Sequence, residues 1–307
     1  MTDHYRLTAP VEFVDVHVDR DNRLYVDPSA IRFWARSGDS WAQGAYESIT
    51  VFFDEFLRRL WSSSSSDNQS SREMLWQFRE PKETRLGMSA LGFDGSGTAK
   101  EMGDAIWKSL SENPLCTLRV PILKRLEDIQ LFVPGIANDR VSDLTTRLIF
   151  SDLAKFTATQ MEKHEELQFG AREDAYQIWD RDAAKWGKEA MSLPCIQQGS
   201  AEGKPLLLVP KMAVHRNLRM SHGKYWEGEI LGSIQDDLTA IINGKPVAPT
   251  KKDLKKRDEF QARRRLNTRR TEEVWHRDSF NLLEAFRDRI DRSYEPLSDA
   301  DIDERLA

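Results

Sequence analysis

Two cysteines in 307 residues, Cys116 and Cys195, stand far apart and in no metal-ligand spacing. A disulfide framework does not fit them, and a reduced, cytoplasmic setting is expected. No apolar run approaches the roughly 18 residues that a membrane-spanning helix requires. The first residues, MTDHYRLTAPVEF, lack the charged-then-apolar pattern of a secretory signal. A soluble protein with no membrane partner is the expectation. Catalytic signatures are equally scarce. There is no G-x-S-x-G, and neither cysteine has a histidine near it in the sequence. His164, His215, His222 and His276 stand singly, with no H-E-x-x-H or HD pair among them, which disfavours zinc.

What is present is a chain long enough for one large domain or two small ones with a sizeable core. It is 39% hydrophobic and 31% charged, ordinary for a globular protein. The net charge of −5 conceals an asymmetry. Lys251 to Arg270 holds ten basic and three acidic residues, a local +7 that leaves about −12 for the remainder.

The alternation in Glu12–Val26 (FVDVHV, DRDN, RLYVD) predicts a β-hairpin, and Asp27-Pro28-Ser29 predicts a helix start. Ile49, Phe52, Phe53, Phe56, Leu57 and Leu60 fall on one helical face and read as core. Ser62–Ser71 is polar and of low complexity, and reads as a mobile loop. Leu91–Ala105 is glycine-rich and precedes a helix. Neither the Walker spacing nor G-x-G-x-x-G is satisfied, however, so it reads as a turn with Thr98 capping the helix that Asn113-Pro114 ends. A short helix is expected at Leu118–Leu126. Trp179 lies seven residues before Trp186 and three after Tyr176, which predicts a shared face on a helix over Glu173–Ala190. Leu206–Val209 reads as a buried strand. His222–Ile234 and Asp237–Ile242 read as short helices, and Asn243-Gly244-Lys245-Pro246 as a turn. Thr250 with Asp253 predicts a helix start, and the acidic tail after Glu295-Pro296 is expected to fray.

The richest stretch is Ile129–Met161. It contains an apolar, strand-like run (Leu131, Phe132, Val133), a Pro134-Gly135 break, a loop with Asp139, Arg140 and Asp143, and then a helical pattern. If that run and Leu206–Val209 are neighbouring strands, Asp139, Asp143 and Lys211 converge at one sheet edge. Carboxylates of this kind hold Mg²⁺, and a nearby lysine stabilises charge on a phosphodiester. The plainer reading is equally concrete: Asp143 caps a helix, Asp139-Arg140 is a surface ion pair, and Lys211 is a solvated strand end.

These residues resemble the PD-(D/E)XK nuclease superfamily over roughly 129–211. Ser142-Asp143 stands where that family has Pro-Asp, and the strand ending at Lys211 where it has (D/E)-x-K. Position 209, which should be acidic, is Val209, and 68 residues separate Asp143 from Lys211. The resemblance implies a metal-dependent nuclease, with Asp143, Lys211 and Asp139 catalytic and Asp139 and Asp143 on Mg²⁺. Glu162, Glu165 or Glu166 could supply a helix-borne second acid. The general layout also resembles uncharacterised proteins of prokaryotic antiviral defence loci.

Arg263, Arg264, Arg265, Arg269 and Arg270 would contact phosphates of nucleic acid and give salt-sensitive affinity. No aromatic beyond Phe260 alternates with them, so base stacking is not suggested. The fold class expected is mixed α/β (α+β): a short central sheet flanked by helices over 1–247, with a helical, basic C-terminal arm over 248–307. The functional expectation is a nucleic-acid-binding, Mg²⁺-dependent phosphodiesterase. The alternative is a non-catalytic subunit of a multi-protein complex, with a protein partner or a second copy, since Trp and Arg anchor interfaces.

Overall fold

A computed structural model describes the chain except residues 9, 19–21, 88–95, 118–121, 197–202 and 307. The mixed α+β class expected from the sequence is the one observed, with the strands among the described residues distributed over four two-stranded antiparallel sheets. Two compact units emerge. Unit 1 comprises Met1–Ala105, Ala137–Arg219 and Glu295–Ala307; unit 2 comprises Ile106–Ile136 and Met220–Tyr294. Of the C-terminal segment, residues up to Tyr294 fall in unit 2 and Glu295–Ala307 in unit 1.

In unit 1, β1 (Tyr25–Val26) leads into α1 (Pro28–Arg36), where Asp27 Oδ1 accepts from the Ser29 N–H and proline occupies the first turn. Next comes α2 (Ser40–Leu60), capped by Asp39. It buries Ile49, Phe52, Phe53, Phe56, Leu57 and Leu60, the stripe its spacing predicted. The serine-rich run departs from the expected loop: Ser65–Leu75 is a helix, α3, capped by Ser64. Two of its polar residues, Asn68 and Ser71, are engaged with backbone rather than water. Asn68 Nδ2 donates to the carbonyls of Arg59, Leu60 and Ser62, satisfying the last carbonyls of α2, and Ser71 is buried.

The helix α4 (Ser96–Ser111) begins before Thr98, which therefore lies inside it; the glycine-rich run at 91–95 is outside the described residues. In unit 1, Gly103 of α4 meets α3 at close range. A Cβ there would lie 2.8 Å from the Leu75 backbone. The expected helix at Leu118–Leu126 starts in 118–121, also outside the described residues, and a 3-10 turn follows at Leu126–Asp128.

The run Leu131-Phe132-Val133 is not a strand. Ile129–Phe132 is a one-turn helix, α5, in unit 2; it ends at extended Val133, and Gly135 at φ 80° follows at the predicted Pro-Gly break. An apolar run this short fits a buried helix as readily as a strand, and tertiary contacts decide. Two further helices of unit 1 follow, α6 (Asn138–Leu148) and α7 (Phe150–Lys163).

Glu173–Ala190 is not a helix either. Arg172–Asp180 (β2) and Lys185–Leu193 (β3) form an antiparallel hairpin in which Trp179 faces Trp186. A seven-residue spacing serves a helix face, but it equally serves a cross-strand pair bridged by a short turn. The two rings sit 5.6 Å apart, and both pack on Phe52. Tyr176, an odd number of residues from Trp179, takes the other face and stacks on Phe150.

Leu206–Val209 is extended and buried, but its backbone bonds go to scattered partners. Leu206 N–H donates to the Pro194 carbonyl, Leu207 N–H to that of Glu83 and Leu208 N–H to Thr157 Oγ1, while the Val209 carbonyl accepts from Val14. The hairpin expected at Glu12–Val26 is likewise replaced by long-range pairing. Phe13 bridges Pro210, and β1 pairs with Val214–His215 (β4). Most of its DRDN turn, 19–21, lies outside the described residues.

Unit 2 is helical around Phe132, Tyr225 and Phe286, with ring centroids 5.7 and 5.2 Å apart. His222–Ile234 is helical as expected, through one π-turn at Trp226–Ile230. Asp237–Ile242 is not a helix, since Ala240–Ile242 forms β5, which turns through Asn243-Gly244 into β6 (Lys245–Val247). Two helices follow, α8 (Arg264–Asp278) and α9 (Leu282–Arg292); of the apolar stripe that the spacing predicts over Val274, Phe280, Leu283, Phe286 and Ile290, all are buried except Phe280, which lies between the helices and is exposed. The buried Arg287 guanidinium pairs with buried Asp128, whose Oδ2 also accepts the Lys124 and Arg125 N–H groups. The tail expected to fray is instead a helix, α10 (Asp299–Leu306), in unit 1. Ile302 and Leu306 are buried there, and Arg216 pairs with Asp301 and Glu304.

Gly103→Ala is expected to destabilise the protein by about 1–3 kcal/mol, because the added methyl meets backbone that cannot rotate away. Thermal unfolding of the variant checks this; an unchanged midpoint would mean the α3–α4 contact is looser than described.

Candidate functional site

The first two turns of α6 collect the charges that the sequence singled out. Asp139 and Asp143 are four residues apart on this helix, hence on one face, instead of in a loop after a strand. The helix forms here because Ser142, Thr145 and Thr146 find partners compatible with it. Ser142 Oγ accepts from the Val26 N–H at 2.9 Å, and the two threonine hydroxyls donate back to the Val141 and Ser142 carbonyls. Asp143 therefore does not cap the helix; it sits inside it.

Its surroundings are electrostatically unfavourable. Burial pushes the Asp143 carboxyl up to about 7, and the Glu80 and Asp139 charges push in the same direction against Arg140 and Arg147. Arg147 is buried and mostly engaged elsewhere. Its Nε donates to the Arg79 carbonyl at 3.2 Å, one Nη to the Glu80 carbonyl at 3.1 Å, and Glu83 lies 3.5 Å away. Tyr25 of β1 adjoins this patch, its hydroxyl pKa raised by burial and then by the Asp139 charge. A carboxyl kept near neutrality by burial and like charge is a mark of functional sites more than of ordinary surfaces.

Lys211 belongs to the same unit. It opens a 3-10 turn, Lys211–Ala213, and its ammonium lies 2.9 Å from Asp299 Oδ1 on α10. Asp27 links that turn to the rest: its N–H donates to the Ala213 carbonyl, and its Oδ2 accepts from the Arg219 N–H. Asn138 Nδ2 reaches Asn217 Oδ1 at 3.3 Å. The segment after Lys211 and the start of α6 thus meet through β1 and this loop, while the lysine itself is held by an acid that the sequence did not point to. Glu162, Glu165 and Glu166 are exposed. Among the described residues, no group of three His, Cys, Asp or Glu side chains is placed to hold a metal ion.

The five arginines separate into two kinds. Arg264 donates from Nε to the Gln130 carbonyl at 3.0 Å and from Nη2 to the Ile136 carbonyl at 2.8 Å, and Asn267 donates to the Leu131 carbonyl. Together they serve carbonyls that the one-turn helix α5 leaves open at its C-terminal end. Arg270 is buried and serves Ser233, with Asp237 at 2.5 Å. These two are structural. Arg263, Arg265 and Arg269 are exposed, with Arg269 3.4 Å from Glu273, and remain available for phosphate. No signal in an unbroken basic run separates the two classes. What decides is which side of α8 meets α5 and the 233–237 segment.

The family model described as a domain of unknown function (DUF8370) matches residues 5–221. The chain belongs to the DUF8370 family. The matched DUF8370 segment includes Asp139, Asp143 and Lys211; the arginines of α8 lie beyond it. No curated protein and no solved structure matches the chain. Among the described residues, no helix is long and apolar enough to cross a membrane.

The raised Asp143 pKa has a definite linkage sign. Between its ordinary value of 3.8 and about 7, the native protein keeps a proton that the unfolded chain has released. Stability from this group is therefore lost as pH rises through that window. Asp143→Asn is expected to unfold about 1–3 kcal/mol later than wild type near pH 8, and with no such advantage near pH 4. Denaturant melts at the two pH values test it; a gain that is the same at both would show that Asp143 ionises without penalty. Arg264→Ala, by contrast, is expected to destabilise by about 2–4 kcal/mol by orphaning buried carbonyls.

Proposed function

We propose that unit 1 is a nucleic-acid phosphodiesterase that works with a divalent cation at Asp139 and Asp143, in keeping with the resemblance to PD-(D/E)XK nucleases. One observation carries this reading: two carboxylates one turn apart on α6, with Glu80 adding to their repulsion and Asp143 raised to about 7. Such an arrangement costs stability in the free protein, and a bound cation reverses the cost. The donor set suits Mg²⁺, which takes one or two protein carboxylates and completes its octahedron with water and substrate oxygens. When bound, the ion would polarise a phosphoryl oxygen and acidify a water.

The chain's own residues do the rest. Asp143 holds a proton near neutral pH that it would have to release to hold a cation, so metal affinity would rise with pH through about 7. Arg140, on the same helix, offsets carboxylate charge and faces the phosphate's. Lys211 exchanges Asp299 for the scissile phosphate. Arg263, Arg265 and Arg269 hold the nucleic-acid backbone with salt-dependent affinity. A reducing cytoplasm suits the two free, buried cysteines. The role in prokaryotic antiviral defence follows the resemblance in general layout. The alternative role, as a non-catalytic subunit, is favoured by a different feature: exposed Ile241, Ile242 and Val247 on one hairpin.

Incubation with plasmid DNA, single-stranded DNA and RNA, each with Mg²⁺, Mn²⁺ or EDTA, tests the reading. Cleavage is expected with metal only, and is lost in Asp139→Asn, Asp143→Asn and Lys211→Ala. Mg²⁺ is also expected to raise the melting temperature of wild type, more at pH 8 than at pH 6, and not that of Asp143→Asn. Absence of both cleavage and metal-induced stabilisation would overturn the site. Arg265→Ala and Arg269→Ala are expected to weaken nucleic-acid retention at low salt without lowering the melting temperature.

A further inference from the structure

The hairpin β5–β6 in unit 2 exposes more apolar side chain than a free hairpin tolerates well. Ile241 is 71% exposed, Ile242 52%, Val247 47% and the adjoining Leu238 41%. All six strand residues are exposed. A two-stranded hairpin alone is marginal in water, and a third or fourth strand is the usual remedy.

The register shows which edge is open. Asn243 and Gly244, at φ 52° and 76°, form a two-residue turn of the type that matches strand twist. Ile242 pairs with Lys245, Ile241 with Pro246 and Ala240 with Val247. In an antiparallel ladder these pairs alternate, and the pair closing a two-residue turn exchanges both hydrogen bonds. The middle pair, Ile241 and Pro246, therefore turns its backbone groups outward. On β5 the outward groups are the N–H and C=O of Ile241. On β6 the corresponding position is a proline, which has no N–H to give. One edge is sealed and the other is open.

We propose that β5 pairs antiparallel with β5 of a second copy of this chain, with Ile241 opposite Ile241 on the two-fold axis. Three features select a second copy as the occupant. Thr239–Ile242 carries no charge, so identical strands meet without like-charge repulsion. The edge is self-complementary, one N–H and one C=O of Ile241 facing the same pair in the partner. The four-stranded sheet that results ends on both sides in β6 with Pro246, so assembly stops at a dimer. One of its faces aligns both Ile241 side chains with both Pro246 rings; the other brings together Ile242, Ala240 and Val247. Strands this short bury less than the roughly 800 Å² per partner of a standard interface, so the dimer is concentration-dependent.

Sedimentation of the full chain over a range of concentrations tests this. Wild type is expected to pass from monomer to dimer, Ile241→Lys to stay monomeric with an unchanged circular-dichroism spectrum and melting temperature, and Pro246→Val, which unseals β6, to form species larger than a dimer. A wild type that stays monomeric at every concentration would overturn the proposal. So would an Ile241→Lys variant that dimerises like wild type, which would place the interface elsewhere. A monomeric wild type that takes up a different protein through Ile241 would assign the edge to that partner and sink self-pairing. None of these outcomes depends on metal or nucleic acid.

Discussion

Unit 1 depends on one buried carboxylate, Asp27. Its Oδ1 accepts from the Ser29 N–H and fixes the start of α1, while Oδ2 accepts from the Arg219 N–H; its own N–H donates to the Ala213 carbonyl. One residue earlier, the Val26 N–H donates to Ser142 of α6. Two consecutive residues thus tie together segments more than a hundred positions apart, and they set the candidate carboxylates near the turn that begins at Lys211. A buried acceptor of this kind holds geometry well because leaving any partner unmade costs the full desolvation penalty of that partner.

Satisfaction of backbone groups by side chains recurs through the molecule and explains where polar and basic residues go. Asn68 closes the end of α2, Arg264 and Asn267 close the end of α5, and Thr157 takes a backbone N–H of the extended Leu206–Val209 segment. Residues that composition alone assigns to water or to a ligand are used as structural donors. Against that background, Asp143 stands out. Its neighbours add negative charge where most buried carboxylates here are given donors, and that imbalance is the physical ground on which a cation is proposed at α6.

Where local pattern dominates, the sequence was legible. The α2 stripe is set by helical spacing, and the Asp27-Pro28 start, the Asn243-Gly244 turn and the Thr250–Asp253 cap by contacts within a few residues, and each forms as read. Where one pattern serves two structures, it was not. The Trp179–Trp186 spacing fits a helix face and a cross-strand pair alike, and the Leu131–Val133 run fits a strand and a buried helical turn. The serine run became helical because of Asn68 and Ser71, whose partners lie on the preceding helix and its own turn.

By itself, then, the sequence determined the mixed α+β class, the residues that carry candidate chemistry and the elements set by local caps and turns. Tertiary structure alone decided that Asp139 and Asp143 share a helix face, that Lys211 is held by Asp299, and that Arg264 and Arg270 are structural while Arg263, Arg265 and Arg269 face water. The reason is physical: a side chain's charge state and availability depend on burial and on partners distant in the chain, and neither is encoded in its immediate neighbours.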